Sequence, residues 1–137
     1  MTKANPLNIT HIDHVVIRVR DLGRMVAFYR DVLGCKLERG PGDTGLAQLR
    51  AGRSLIDLVE ASGRPGHEAG GLPDPKTPNM DHVCFQVRPW DAQAIAEHLN
   101  THGVEAGEVA QRYGAGGTGP SIYIGDPEGN RVELKGG

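Results

Sequence analysis

The stretch Ile12-Asp13-His14-Val15-Val16-Ile17-Arg18-Val19 returns in close copy as Met80-Asp81-His82-Val83-Cys84-Phe85-Gln86-Val87. A chain that writes one strand twice is built from two copies of one unit, and this limits its fold more than any other feature. In each copy a histidine stands at the head of an apolar, β-rich run. Strand alternation sends His14 and Val16 to one face and Val15, Ile17 and Val19 to the other. His82 and Cys84 oppose Val83, Phe85 and Val87 in the same way. Two equivalent strands that each present one histidine can bring paired imidazoles into a shared cleft, a common beginning for a metal site.

With 137 residues and 38% apolar content, the chain has material for one ordinary domain, residues 1–137, rather than two. Module one is expected over 10–60, a linker over 61–79 and module two over 80–135. The formal charge of −2 gives no basic face, and no Arg/Lys run is interleaved with aromatics, so nucleic acid is a poor partner and a small molecule a better one. Met1 to Thr10 holds no apolar core of signal-peptide length and no later run approaches membrane-spanning length, which predicts a soluble cytoplasmic protein. Cys35 and Cys84 suit no disulfide framework and read as reduced thiols.

The first strand should run from Ile12 to Val19, with Asp21 as the N-cap of a helix whose buried face is Leu22, Met25, Val26, Tyr29, Val32 and Leu33. Gly34 supplies its left-handed stop. Strands follow at Cys35–Arg39, Gly45–Ala51 and Ser54–Glu60, so module one is βαβββ. The Gly/Pro-rich linker has no apolar periodicity; His67 and Lys76 within it are candidates to touch a ligand if it covers a site. Module two repeats the order: a strand over Met80–Val87, an Asp91 N-cap, a helix through Ala94, Ile95, His98 and Leu99 stopped at Gly103, and strands near Glu108–Tyr113, Ser121–Gly125 and Arg131–Lys135. The turn Asp126-Pro127-Glu128-Gly129-Asn130 places the last strand. Few aromatics and an exposed sheet edge predict a homodimer.

The fourth strands compare by parity. Ile56 and Leu58 match Val132 and Leu134, which puts Asp57 where Glu133 stands, while Glu60 has the wrong parity. The repeat thus delivers His14 and Asp57 from one half, and His82 and Glu133 from the other. Two imidazole nitrogens and two carboxylates suit a divalent transition metal.

These residues, together with Ala27-Phe28-Tyr29-Arg30-Asp31-Val32-Leu33-Gly34 and Asp126-Pro127-Glu128-Gly129-Asn130-Arg131-Val132-Glu133-Leu134, resemble the vicinal oxygen chelate superfamily of glyoxalases, bleomycin-resistance proteins and extradiol dioxygenases. Within it the chain is most similar to glyoxalase domain-containing protein 5 and its bacterial relatives. The resemblance implies an α+β fold of two tandem βαβββ modules forming a half-barrel, with one divalent metal ion (Ni, Zn, Co, Mn or Fe) on the concave face. The family's ligand positions carry over to His14, His82 and Glu133, from one chain or from a dimer. The fourth departs, since glyoxalase I has a longer side chain at Asp57, and one methylene less shortens the reach by about 1.5 Å. Asp57 then binds directly, through water, or not at all. Fosfomycin thiol transferases favour a hydroxyl residue where this chain has Val16 and a basic one where it has Gly117, which lowers that reading.

The resemblance implies a metal-dependent lyase or isomerase of lactoylglutathione lyase type, acting on a small substrate with vicinal oxygens through a metal-stabilised enediolate. Glu133 would be the proton-transferring catalytic group. The alternatives are an Fe(II)/Mn(II) extradiol-type dioxygenase, with Tyr123 or His67 as acid/base, and a non-catalytic drug-binding protein of the bleomycin-resistance type. Arg50 and Tyr123, with Arg18 and Gln48, are candidates to hold substrate. By pleat parity Asp13 and Asp81 point away from their neighbouring histidines. His98 and His102, at i and i+4, read as partial burial rather than a metal pair, Cys84 as a small buried side chain, and Arg112 to Pro120 as a flexible loop at the cleft mouth.

Overall fold

Both repeats close into four-stranded mixed sheets in this computed structural model, which describes residues 5–61 and 78–137. His67 and Lys76 lie outside the described residues. The order is β1 (His14–Val19), α1 (Leu22–Ala27), a π-helical turn (Phe28–Val32), β2 (Lys36–Arg39), β3 (Leu46–Ala51) and β4 (Ser54–Glu60). Module two follows with β5 (Val83–Gln86), α2 (Ala92–Thr101), β6 (Ala110–Gly114), β7 (Gly117–Gly125) and β8 (Arg131–Lys135). The sheets run β1-β4-β3-β2 and β5-β8-β7-β6. In each, the first and last strands pair in parallel while the rest are antiparallel. Parallel neighbours need a crossover, and the helix between the first and second strands begins it. The fold is α+β, two tandem βαβββ modules. No helix among the described residues is long and apolar enough to cross a membrane.

Alternation decides which faces meet. Ile17 and Val19 of β1, Ala47 and Leu49 of β3, and Ile56 and Leu58 of β4 pack with Met25 and Val26 of α1, and Ile122, Ile124, Val132 and Leu134 of the second sheet join the same core. The polar faces of both sheets are therefore turned away from the core.

Asp21 and Asp91 cap as expected, accepting from Arg24 N and Ala94 N at 3.1 Å each. The first helix departs from a regular spiral. Leu33 N donates to Phe28 O, and the inserted residue lets both Phe28 and Tyr29 turn inward, their rings edge to face at 5.3 Å. His98 is exposed rather than partly buried, and what holds it is a hydrogen bond from Nε2 to Val32 O across the modules (2.7 Å).

The glycine-rich stretch is a hairpin, not a flexible loop, because β7 begins at Gly117 and pairs with β6 throughout. Glycine serves close approach there. A Cβ on Gly119 would stand 2.2 Å from Gly136 O and 2.9 Å from its carbonyl carbon, both backbone atoms. Gly119→Ala must then push β7 from the chain end, at the ordinary overpacking cost of about 1–3 kcal/mol. Urea unfolding checks this, and an unchanged midpoint would mean that the contact relaxes freely.

The turn after β7 clasps the modules together. Glu128 accepts from Arg20 N and Asp21 N at 2.7 and 2.8 Å, and Tyr29 Oη donates to Asp126 at 2.9 Å. Asn79 bonds both backbone groups of Arg18, closing part of the open edge of β1.

Candidate metal centre

On the outward face of the first sheet, β1 and β4 are in register with Val16 opposite Asp57, and Gln48 of β3 lies on the far side of Asp57. His14 leads this face, its side chain 47% exposed. Its Nδ1 lies 2.7 Å from Asp13 Oδ1, and that hydrogen bond, with the Asp57 charge next, raises the histidine above its ordinary pKa. Asp57 is 5% exposed. Gln48 Nε2 donates to its Oδ2 at 3.2 Å, and Oδ1 has no hydrogen-bond partner among the described residues.

The second sheet repeats the arrangement with Cys84, Glu133 and Tyr123 in one row. His82 Nδ1 lies 2.6 Å from Asp81 Oδ2, and its Nε2 is 3.2 Å from Glu133 Oε1. Glu133 is 6% exposed, whereas the His82 side chain is 31% exposed. The carboxylates are therefore buried, while the imidazoles stand nearer the surface.

Asp13 and Asp81 also depart from the parity expectation, since each bonds the histidine beside it. The regular strands begin only at His14 and Val83, so pleat alternation does not govern the residues before them. Such a carboxylate fixes the Nδ1–H tautomer and leaves Nε2 as the donor atom, as in many metal-binding histidines. A neutral His82 then aims its Nε2 lone pair at a carboxylate oxygen, and two acceptors at 3.2 Å require a proton or a cation between them.

The two pairs do not meet in one chain. Among the described residues no group of three or more His, Cys, Asp and Glu side chains converges. Each sheet offers a half-site: His82 beside the buried Glu133 in the second, and His14 on the same sheet face as the buried Asp57 in the first.

Cys84 is exposed, not buried, and its thiol is pushed up to about 11 by desolvation and then by the nearby Glu133 charge. It is protonated at neutral pH. Arg50 is held bidentate by Glu38 at 2.7 and 3.1 Å, so among the candidates for holding substrate it is already committed. Tyr123 is not. Its ring meets His82 edge to face at 5.4 Å, and the guanidinium carbons of Arg112 and Arg131 stand 4.5 and 4.1 Å from its centroid. Neither arginine was singled out from the sequence, although Arg131 sits two residues before Glu133 and so shares its face.

Residues 11–134 match the family described as the Glyoxalase/Bleomycin resistance protein/Dioxygenase superfamily. The chain belongs to this superfamily. It is 30% identical over 133 residues to glyoxalase domain-containing protein RDO1 of Mycosarcoma maydis, covering 93% of this chain and 69% of that one. Lactoylglutathione lyase of Salmonella typhimurium is 28% identical, covering 88% of each. Among solved structures, integron cassette protein VCH_CASS1 from the mobile metagenome of V. cholerae superposes with a TM-score of 0.75 at 27% identity, over 95% of this chain and 97% of that one. Proteins named methylmalonyl-CoA epimerase and glutathione transferase FosA also match, so the superfamily likeness spans several reactions.

Proposed function

We propose that two copies of this chain hold divalent metal through His14 and Asp57 of one and His82 and Glu133 of the other, and that the site rearranges a small substrate with vicinal oxygens, as a lyase or isomerase. The carrying observation is the duplicated half-site. In the second sheet an Asp-anchored histidine presents Nε2 beside a buried carboxylate, in the first an Asp-anchored histidine shares a sheet face with one, and no group of three such side chains converges among the described residues. The donor set fits a divalent cation from the nickel, zinc, cobalt, manganese and iron group. Asp57 Oδ1, without a partner among the described residues, fits it too, because a buried carboxylate oxygen without a donor costs about 1–3 kcal/mol unless something compensates it. Val16, 49% exposed between His14 and Asp57, is an apolar side chain that a facing copy would cover.

When bound, the metal supplies Lewis acidity toward the substrate's neighbouring oxygens. The chain's own part is proton handling and placement. Glu133, shielded from bulk water, takes a proton from one carbon and returns it to the next, as lactoylglutathione lyase among the relatives suggests. Asp13 and Asp81 hold the two imidazoles in their tautomer and orientation.

The test is complementation. His14→Ala and His82→Ala homodimers should each lose stoichiometric metal by elemental analysis. When the two are unfolded together, refolded and loaded, hybrids carry one intact site and metal returns to roughly a quarter of the wild-type level, from half the dimers with one site of two. No recovery would refute a shared site, full metal in His82→Ala would refute the ligand assignment, and a monomer mass by light scattering at micromolar concentration would refute both.

A further inference from the structure

Beside the His82–Glu133 pair, the second sheet carries two guanidinium groups on one aromatic ring. Arg112 of β6 and Arg131 of β8 flank Tyr123 of β7, their charged carbons 4.5 and 4.1 Å from the ring centroid. Arg112 is fixed in place, its Nη1 donating to Ser121 O at 3.0 Å and Ser121 Oγ at 2.7 Å. Its other three N–H groups have no acceptor among the described residues, and Arg131 has none for any of its five. Neither makes an ion pair among the described residues, in contrast to Arg30 with Asp31 and Arg50 with Glu38. The exposed acid close to Arg131, Asp81, is already spent on His82. Lys135, buried and in register with Ser121, adds a third cation to this face.

Two like charges are thus placed on one ring, with all five N–H groups of Arg131 and three of those of Arg112 unused among the described residues. Cation–π contact holds each in place at about 0.5–1 kcal/mol but does not relieve their mutual repulsion. An oxyanion does, and the planar guanidinium fork matches carboxylate and phosphate oxygens two at a time. A long polyanion such as nucleic acid does not suit a chain of net charge −2 with the cations confined to one ring.

We propose that Arg112 and Arg131, stacked on Tyr123, bind an anionic group of the substrate, a carboxylate, phosphate or phosphonate, next to the proposed metal centre. This rests on the reading of His82 and Glu133 as half of that centre and names the class of substrate it takes: a small acid whose charged end lies across Tyr123. Tyr123 and Arg131 also line a neighbouring open cavity of about 690 Å³ that reaches Gly107, Phe28 and Val32 and is lined by neither Arg112 nor the His82–Glu133 pair. That volume is within the range of small-molecule sites, about 300–1,000 Å³.

The probes are inorganic phosphate, methylphosphonate and acetate, titrated into metal-free full-length protein at low ionic strength and followed by calorimetry. The wild type should bind at least one of them saturably; tighter acetate than phosphate assigns a carboxylate substrate, and the reverse a phosphorylated or phosphonate one. Arg112→Gln and Arg131→Gln should each weaken binding about tenfold or more, the effect of losing a hydrogen bond to a charged group. Arg30→Gln, remote and paired with Asp31, should bind as the wild type. Arg112→Lys keeps the charge without the fork and should recover only part of the loss, which a merely structural prop for Tyr123 would not show. No saturable binding of any probe by the wild type, or wild-type affinity in the double Arg112→Gln/Arg131→Gln variant, would overturn the proposal. His82→Ala separates the two readings: it should lose metal yet keep anion binding. Metal retained in that variant sinks the metal centre alone, and anion binding lost only in the arginine variants still supports the stack.

Discussion

Replacing Glu133 with glutamine should lower turnover about 10² to 10⁴-fold, the usual contribution of a positioned general base, while leaving most of the metal in place. Glutamine has the same length and keeps one oxygen that can donate to a cation, but it cannot carry a proton between two carbons. The surroundings favour a clean comparison. Glu133 lies in the middle of β8, paired on both sides by Cys84 of β5 and Tyr123 of β7, so the backbone under the substitution is held. His82 Nε2, 3.2 Å from the carboxylate, keeps a polar neighbour in the variant. Turnover of a 2-oxoaldehyde hemithioacetal, compared at matched metal occupancy, reads the effect. Equal rates would remove Glu133 as the base. Turnover by neither protein would move the substrate away from hemithioacetals and toward the acids that the arginine stack is proposed to bind.

Pleat parity and repeat symmetry carried much of this site in the sequence. Comparing Ile56 and Leu58 with Val132 and Leu134 puts Asp57 and Glu133 at matching positions opposite the core, and the register sets Asp57 beside Val16, two residues past His14, and Glu133 beside Cys84; His82 precedes β5 and is placed by its 3.2 Å contact with Glu133. Parity failed where it had no strand to act on. Asp13 and Asp81 precede the first regular residues, so their contacts with His14 and His82 follow from local backbone and not from alternation. The glycine-rich hairpin was misread for a related reason: composition shows that glycines are present, but not that one is needed because Gly136 O passes 2.2 Å from where a Cβ would be. The bond from His98 to Val32 is likewise long-range, and no local pattern announces it. Least legible was how the half-sites pair, since identical sheet faces fit a site closed within one chain as well as one closed by two. The arginine stack was within reach, as Arg131 has the parity of Glu133, but its partner Arg112 comes from a strand whose register the sequence does not specify.

The largest expected loss of stability comes from Asp126, in the turn between β7 and β8. Its buried carboxylate accepts four hydrogen bonds, each 2.9 Å: from Tyr29 Oη, Asn130 N, Asn130 Nδ2 and Glu128 N. Asp126→Ala strands these donors, among them a tyrosine hydroxyl on a residue with no exposure. At about 1–3 kcal/mol for each buried donor that water cannot reach, the loss should be about 3–5 kcal/mol by urea unfolding. Tyr29→Phe removes one donor without stranding the rest and should cost only about 1 kcal/mol. If the residues act through this bond, the double variant will be less destabilised than the two losses added together. Burial raises the carboxyl above its ordinary pKa even against those hydrogen bonds. In the window between the unfolded value, about 3.9, and the raised folded one, the native state holds a proton that the unfolded chain has lost, so stability from this group falls as pH rises. The wild type's advantage over Asp126→Asn, which does not titrate, should therefore be greatest at or below about pH 4 and shrink toward neutrality. An advantage that grows instead over that range would show that the four hydrogen bonds outweigh burial and that the carboxylate is held charged.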